Sequence, residues 1–275
     1  MSNYTNINIA LSDLSSDLEL LKKKNPLVHN ITNVVVTNVT ANALLAIGAS
    51  PIMAYAKEEM KDIITISDAL VLNIGTLTKE VIDVMLLAGR YANEKDIPVI
   101  FDPVGAGASS LRNDASKEII SNIKLSIIRG NESEIANLNG IKLETKGVDS
   151  KGRVEDKIGL AKEFALKVSS TVCISGKEDV ISDGKNVFSV KNGDEVLTKM
   201  TGSGCMSSSI MGAFAAIDRN YFKASLTGAV LVGICGELAA LKSKLSGSFQ
   251  TEFFNNLSAF NPDMLNRHAR FEKIY

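Results

Sequence analysis

The sequence predicts an α/β protein with a three-layer, doubly wound and mainly parallel sheet that carries helices on both faces. Short apolar runs of four or five residues carry no charge, as in strands that are buried on both faces. Amphipathic segments of helical periodicity lie between these runs, and this alternation is typical of βαβ units. Of the 275 residues, 45% are hydrophobic and 22% are charged, which is enough for a substantial core.

The elements follow one another in a regular order. A first helix is predicted over 13–24 and a second over 34–47, where Gly48 ends it. Buried strands are predicted at 51–54, 69–73, 98–101, 125–128 and 171–174. Helices are predicted at 58–66, 79–94, 114–122, 132–138 and 155–168. A hairpin over 180–190 and an almost wholly helical stretch from Ser203 onward complete the pattern. No repeat, low-complexity tract or linker interrupts it, so we expect a single domain over residues 1–275.

Composition excludes several classes of function. A formal net charge of −1 gives no electrostatic reason to expect a nucleic acid or an anionic membrane as partner. Three cysteines and two histidines, without metal-ligand spacing, favour neither a zinc site nor a disulfide framework. Residues 1–6 lack a signal-peptide pattern, and the apolar segment 227–241 contains Glu237 and is short for a membrane span. We therefore expect a cytoplasmic protein.

A glycine-rich turn, Thr201-Gly202-Ser203-Gly204-Cys205, precedes a helical run and is the most informative motif. Two glycines allow a tight turn with free backbone N–H groups, and the helix behind adds its positive end. This combination predicts an anion cradle that suits phosphate oxygens. A thiol at such a helix start is also expected to lose its proton more easily.

Polar residues follow several predicted strands at the edge where parallel sheets bind ligands. Asp102 follows one strand, Arg129 with Asn131 and Glu134 follows the next, and Ser175 follows a third. Carboxylates without a nearby histidine suit Mg²⁺, and an arginine suits a polyphosphate. The pattern therefore predicts phosphoryl chemistry.

Structural interpretations of the same residues remain open at this point. Asp102-Pro103 is also a turn former, and Asn131 with Glu134 has the spacing of a capping box. Met53 could fill the core, and His29 could be a loop histidine with a satisfied hydrogen bond. Cys173 and Cys235 lie in apolar segments and are interpreted as core residues. No Walker A sequence occurs, and Gly105-Ala106-Gly107 lacks the rest of a dinucleotide fingerprint.

Five motifs in order resemble the hydroxyethylthiazole kinase family over most of the chain, from about Asn25 to the helices beyond Cys205. They are His29-Asn30-Ile31-Thr32-Asn33, Ser50-Pro51-Ile52-Met53-Ala54, Asp102-Pro103-Val104-Gly105-Ala106, Ile128-Arg129-Gly130-Asn131-Glu132-Ser133-Glu134-Ile135 and Thr201-Gly202-Ser203-Gly204-Cys205. The resemblance implies a ribokinase-like fold without a lid domain. It also implies phosphorylation of the hydroxyl of 4-methyl-5-(2-hydroxyethyl)thiazole by ATP and Mg²⁺, in thiamine biosynthesis or salvage, by a homotrimer with thiazole pockets between subunits.

The resemblance assigns roles by position. Cys205 is implied as the catalytic base, with Gly202 and Gly204 as the anion hole and Gly202 also beside the substrate hydroxyl. The remaining assignments are Met53 and Asn30 on the thiazole side, Arg129, Asn131 and Ser175 at the nucleotide, and Asp102 and Glu134 at the metal. His29 and Asn33 fall in the thiazole segment without individual roles, and residues 1–24 and 262–275 match no motif.

Three alternatives stay open. Kinases of hydroxymethylpyrimidine or pyridoxal share the glycine-rich anion hole, and ATP-dependent hydro-lyases that act on hydrated nicotinamide nucleotides share the fold. A non-catalytic thiazole-binding protein would leave Asp102, Arg129 and Glu134 without a purpose. Related sugar kinases usually have Asp where this chain has Cys205. A poor base is tolerable there because the attacking hydroxyl loses its proton late in phosphoryl transfer.

Overall fold

The computed structural model describes residues 8–141, 145–146, 149–150 and 156–275, and it contains the layered sheet that the sequence predicts. The strands are β1 (Leu27–Ile31), β2 (Ser50–Ile52), β3 (Ala69–Asn73), β4 (Val99–Asp102), β5 (Ile127–Asn131), β6 (Thr145–Lys146), β7 (Asp149–Ser150), β8 (Thr171–Ser175), β9 (Asp179–Ser182), β10 (Val187–Val190) and β11 (Phe271–Lys273). The helices are α1 (Leu11–Lys24), α2 (Thr37–Ile47), α3 (Met60–Ile66), α4 (Lys79–Lys95), α5 (Ser110–Asn122), α6 (Glu132–Leu138), α7 (Lys157–Val168), α8 (Ser203–Ile217), α9 (Tyr221–Lys242), α10 (Ser246–Ala259) and α11 (Pro262–His268), with short 3-10 turns at Lys57–Glu59 and Glu195–Lys199.

Nine strands form one sheet in the order β11-β10-β9-β8-β5-β4-β3-β1-β2. The six strands from β8 to β2 are parallel, whereas β9, β10 and β11 run antiparallel at the other side. β6 and β7 pair separately with each other. The predicted α/β class with a mainly parallel sheet is confirmed.

Side chains that alternate along each strand fill two cores on opposite faces of the sheet. One core packs Val71 and Ile100 against helices α1, α2, α8, α9 and α10. The other packs Leu72 and Phe101 against helices α3 to α7. These two cores give the three-layer arrangement and fix the sheet between the helices.

The apolar helix α9 is longer than the sequence suggested. By length and composition its 22 residues could cross a membrane, but 83% of the apolar window is buried inside the protein. Ser225 and Thr227 lie on this helix, and the segment before α8 packs closely on two of its three glycines, Gly233 and Gly236. It is therefore a core helix.

Three expectations about elements need correction. β1 was not predicted, because His29 and Asn30 interrupt its apolar pattern, yet both side chains are fully buried. Helix α2 begins at Thr37 rather than at residue 34, and β11 breaks the helical stretch that was expected from Ser203 to the end. The expectations for residues 1–6 and for position 155 lie outside the described residues.

Candidate active site

The sheet brings the predicted polar strand ends together. β3, β4, β5 and β8 are neighbours, and Asn73 pairs in register with Asp102 across β3 and β4. Asn131 pairs in the same way with Ser175 across β5 and β8. Because all four strands are parallel, their carboxyl ends line one edge of the sheet. The start of α8 lies against this edge, as the contacts below establish.

Asp102 is buried at the end of β4, with 1% of its surface exposed. Its Oδ2 accepts hydrogen bonds from Asn73 Nδ2 at 2.9 Å and from Ser208 Oγ at 2.8 Å. Its Oδ1 makes no hydrogen bond within the described part of the chain. Burial raises the pKa of Asp102, and the positive charge of Arg129 partly offsets that shift. One carboxylate oxygen is thus fixed by the protein and the other remains available for a ligand.

Glu134 lies in the first turn of α6 and is 5% exposed. Its Oε1 accepts a hydrogen bond from Gly105 N at 2.8 Å, and its Oε2 accepts one from Asn131 N at 2.7 Å. Asn131 Oδ1 in turn accepts from Glu134 N at 2.9 Å, which completes the capping box. Burial raises the pKa of Glu134 to about 7, and the charge of Asp102 contributes to the shift.

Arg129 extends from β5 toward the start of α8. A Cβ atom added at Gly204 would lie 2.6 Å from an Arg129 guanidinium nitrogen, so the glycine permits this approach. Burial alone would lower the pKa of Arg129, but nearby acidic groups, Asp102 foremost, raise it. Its buried Nε has no hydrogen-bond partner among the described residues. A buried, unsatisfied guanidinium nitrogen beside a backbone cradle is a suitable anchor for an anionic ligand.

The start of α8 has the tight turn that the glycines predicted. Gly202 is the N-cap residue with a φ of 87°, a left-handed value that favours glycine. A Cβ atom there would lie 2.9 Å from Val36 Cγ1. Cys205 follows in the first turn of the helix, and its Sγ accepts a hydrogen bond from Asn33 Nδ2 at 3.4 Å. The turn therefore places a thiol next to open backbone amides.

One electrostatic expectation for this thiol was wrong. The helix start was expected to make Cys205 easier to deprotonate, but its pKa is raised to about 12. Burial is the main cause, and the carboxylate of Asp102 adds to it, because a thiolate is disfavoured both in a dry site and beside a negative charge. Hydrogen bonds from Asn73 and Asn33 oppose the shift without reversing it. In the ligand-free protein Cys205 is therefore a neutral thiol.

Comparison with known proteins decides the family. The family model "Hydroxyethylthiazole kinase family" matches residues 18–263. A solved hydroxyethylthiazole kinase from Pyrococcus horikoshii is 38% identical, with a TM-score of 0.89 over 96% of this chain and 100% of that chain. The chain belongs to the hydroxyethylthiazole kinase family. It is accordingly a kinase with the ribokinase-like fold.

More distant structures share the fold of this hydroxyethylthiazole kinase family member. A pyridoxal kinase from Staphylococcus aureus, solved with AMP-PCP and pyridoxal, is 13% identical with a TM-score of 0.65 over 90% of this chain and 98% of its own. A ribokinase-like superfamily protein from Enterococcus faecalis is 12% identical with a TM-score of 0.64 over 97% and 99%. At these identities the likeness concerns the fold alone.

The two residues expected on the thiazole side, Met53 and Asn30, differ in their exposure. Met53 directly follows the edge strand β2 and is half-buried. Asn30 is fully buried; its Oδ1 accepts a hydrogen bond from Ser209 Oγ at 2.6 Å, and its Nδ2 donates one to Val28 O at 3.0 Å. Because both of its polar groups are used inside the protein, Asn30 ties β1 to α8, which argues against the direct substrate contact expected for it.

His29 is not the loop histidine that one interpretation suggested. It lies in β1, is fully buried, and its Nε2 is 3.0 Å from Ala54 O. Burial lowers its pKa, so the imidazole is neutral. Ser175 ends β8 as expected, and its hydroxyl donates to Gly130 O at 3.3 Å, which places it beside the Arg129 segment.

Sequence reasoning missed four residues of this edge. Asn73 and Ser208 hold Asp102, and Asp179 lies within the electrostatic environment of Arg129. Arg112 bonds to Val104 O at 2.6 Å and to Gly75 O at 2.7 Å, so it ties the loops after β3 and β4 together. Only Asn73 offered a signal, because it is the polar residue that ends an otherwise apolar strand.

Proposed function

We propose that this chain phosphorylates the hydroxyl of 4-methyl-5-(2-hydroxyethyl)thiazole with ATP and Mg²⁺ to form the monophosphate used in thiamine synthesis or salvage. The observation that supports it most is the meeting of Asp102, Arg129 and Glu134 with the glycine turn at the start of α8. The choice of hydroxyethylthiazole as the substrate rests on membership of the hydroxyethylthiazole kinase family. We infer that the whole chain acts as one domain in the cytoplasm.

The nucleotide is assigned to the ends of β5 and β8. Arg129 offers a buried Nε without a partner, and its guanidinium group lies against Gly204. Ser175 and Asn131 are paired in register beside it. The planar guanidinium group of arginine can donate two hydrogen bonds at once to the charged oxygens of a polyphosphate. These contacts would hold the phosphates in line with the glycine turn.

The residues present also fit Mg²⁺. Among the described residues no group of three or more His, Cys, Asp or Glu side chains could enclose a metal ion. Mg²⁺ does not need such a group, because it commonly binds one or two carboxylates together with waters and substrate phosphates. Asp102, with a free Oδ1, and Glu134 would hold it. Bound there, Mg²⁺ would neutralise phosphate charge and the carboxylate charge that raises the pKa of Cys205.

The start of α8 is assigned to the acceptor hydroxyl. The hydroxyl oxygen forms a bond to the γ-phosphorus of ATP, the bond from that phosphorus to the β,γ-bridging oxygen breaks, and ADP leaves. The amides at Gly202 and Gly204 would bind the phosphoryl oxygens. A neutral thiol cannot accept a second proton, so Cys205 would take the hydroxyl proton late and only as its thiolate, the form that bound Mg²⁺ would favour. Because its pKa is high in the ligand-free protein, we assign the sulfur a modest share of the rate.

The thiazole pocket is proposed to be completed by a second copy in a homotrimer, with Met53 as a contact. Val34, Val35 and Leu45 are 72%, 65% and 58% exposed, although all three are apolar. They lie at or near helix α2, and Leu45 also lines a groove of 640 Å³ between α2 and α10. Apolar surface of this kind is typical of an interface.

Light scattering tests the assembly. Leu45→Glu should give a smaller particle and raise KM for the thiazole at least about tenfold, because a buried charge without a partner disfavours association. Leu166→Glu is the matched control, since Leu166 is also 58% exposed but lies on α7. An unchanged trimer in Leu45→Glu would remove this face from the proposal.

Mass spectrometry of the products tests the activity itself. The protein should add phosphate to hydroxyethylthiazole in an ATP- and Mg²⁺-dependent way, in preference to hydroxymethylpyrimidine and pyridoxal. Dehydration of a hydrated nicotinamide nucleotide with ATP use, but without a phosphorylated product, would instead identify the hydro-lyase. Preferred phosphorylation of either other alcohol would overturn the assigned substrate while keeping the kinase.

A further inference from the structure

An asparagine pair connects the thiol of Cys205 to the carboxylate of Asp102. Asn33 Nδ2 lies 3.4 Å from Cys205 Sγ and 3.0 Å from Asn73 Oδ1. Asn73 Nδ2 then donates to Asp102 Oδ2 at 2.9 Å. Asn33 and Asn73 are 5% and 2% exposed, so these bonds are protected from water. The end of β4 and the start of α8 are thus joined by a continuous set of hydrogen bonds.

The direction of these hydrogen bonds is fixed by a backbone group. Gly75 N–H can only donate, and it lies 3.0 Å from Asn73 Oδ1. The oxygen of the Asn73 amide must therefore face Gly75, and its nitrogen must face Asp102. The Asn33 group that meets the same Asn73 oxygen must in turn be its NH₂. Since that nitrogen is also the atom beside the sulfur, Cys205 Sγ is the acceptor.

The side chain of Asn33 leaves no space for a Cβ atom at position 75. A Cβ atom at Gly75 would lie 2.6 Å from Asn33 Nδ2 and 2.7 Å from Asn33 Cβ, which is closer than real side chains pack. Asn33 is therefore packed directly against the loop after β3. On the far side, Ser208 on helix α8 also donates to Asp102 Oδ2, so the set of bonds returns to the helix that carries Cys205.

We propose that Asn33, held in orientation by Asn73 and Gly75, is a positioning residue that aims the Cys205 sulfur at the acceptor hydroxyl and keeps it a hydrogen-bond acceptor. This inference rests on the proposed function of Cys205 as the proton acceptor. A donor that stabilises an acceptor sulfur favours the form that can receive a proton. Asn33 would act only through Cys205 and would contribute little to nucleotide binding.

A double-mutant cycle tests this role. Asn33→Leu removes the donor at similar volume and should lower kcat about 10- to 100-fold, with KM for ATP changed less than about threefold. In a Cys205→Ala background the same substitution should cost less than about threefold, because the group that Asn33 orients is gone. A contact with substrate, or a general effect on folding, would cost the same in both backgrounds.

Gly75→Ala provides a second route if Asn33→Leu folds poorly, as judged by its melting temperature. It keeps every polar side chain but displaces Asn33, so it should reproduce the loss of kcat and the dependence on Cys205. Asn93→Leu is the matched control. Asn93 also makes two side-chain hydrogen bonds, both to Lys124, but at the opposite end of the sheet.

Each outcome has one meaning. Loss of kcat that depends on Cys205 supports the inference. Additive losses, or a folded Asn33→Leu variant with wild-type kcat, overturn the inference while the kinase assignment stands. Wild-type kcat in Cys205→Ala overturns the role of the thiol and this inference with it. A wild-type protein that forms no thiazole phosphate refutes the proposed function, and its product spectrum distinguishes that failure from the others.

Discussion

The ends of β4 and β5 lie against the start of α8, but the two regions are built from different groups. The strand ends contribute three charged groups. Asp102 and Glu134 are buried and are held by neighbouring amides and a hydroxyl, and Arg129 lies against Gly204. The start of α8 contributes no charge: its features are two glycines and a neutral thiol. The difference indicates that one side organises phosphate and metal by charge, whereas the other shapes the space for the reacting oxygens. Substitutions on the two sides should therefore lower activity for different reasons.

The largest effect is expected on the charged side. Asp102→Asn keeps the shape of the side chain but removes the charge that would face the metal and Arg129. We expect kcat/KM to fall about 10³-fold, since charge stabilisation dominates phosphoryl transfer. Steady-state kinetics at several Mg²⁺ concentrations measure this loss. The Mg²⁺ concentration that gives half-maximal activity should also rise in the variant. Asp114→Asn, exposed on α5, is the control, and equal losses in both variants would contradict the assignment.

Gly202→Val should be the most harmful change on the uncharged side. Gly202 has a φ of 87°, and a Cβ atom would meet Val36 Cγ1 at 2.9 Å, so the substitution both strains the turn and fills the anion space. We expect at least about a 10²-fold loss of kcat, the scale of losing an oxyanion donor. The loss should exceed that of any Cys205 substitution. A smaller loss than in Cys205→Ala would mean that the turn does not bind the phosphoryl oxygens.

Local patterns indicated which charged residues lie together at the strand ends, but they indicated the uncharged side only in part. Asp102 and Arg129 were recognisable because each lies at or near the end of an uninterrupted apolar run. β1 was missed because His29 and Asn30 are polar, although the sheet buries both. The bond from Asn33 to Asn73 depends on β1 and β3 being neighbours, which no local pattern reveals. The high pKa of Cys205 likewise depends on burial and on Asp102, a distant residue in the chain.

Substitutions of Cys205 sharpen the comparison, because they test how much the neutral side contributes to proton transfer. Cys205→Ala should lose about 10- to 100-fold in kcat but retain activity, since the proton leaves late and a poor base adds little. Cys205→Asp should keep substantial activity or improve it, because a carboxylate is the better proton acceptor near neutral pH. A loss in Cys205→Asp as large as that in Glu134→Ala would reject this account of the base.

The smallest effect concerns folding stability rather than rate. The charged side should make stability depend on pH below about 7, whereas the uncharged side should not. Burial raises the pKa of Glu134 from its ordinary value of 4.5 to about 7, so the folded protein retains a proton that the unfolded chain has already released between those values. Linkage then requires the contribution of Glu134 to folding stability to fall as pH rises from about 4.5 to about 7, and to change no further above that range.

Glu134→Gln should remove this fall, because the amide does not titrate. We expect the free energy of unfolding of the wild type, relative to the variant, to drop by about 1–3 kcal/mol across the range. Urea titrations at pH 5 and pH 7 without Mg²⁺ measure it, with Glu118→Gln, exposed on α5, as the control. The Cys205→Ala variant should keep the wild-type dependence of unfolding free energy on pH, since the thiol that it lacks titrates only near pH 12 in the wild type. If the difference in unfolding free energy between the wild type and Glu134→Gln is the same at pH 5 and pH 7, the titrating group lies elsewhere and Glu134 is removed from the charged side of the comparison.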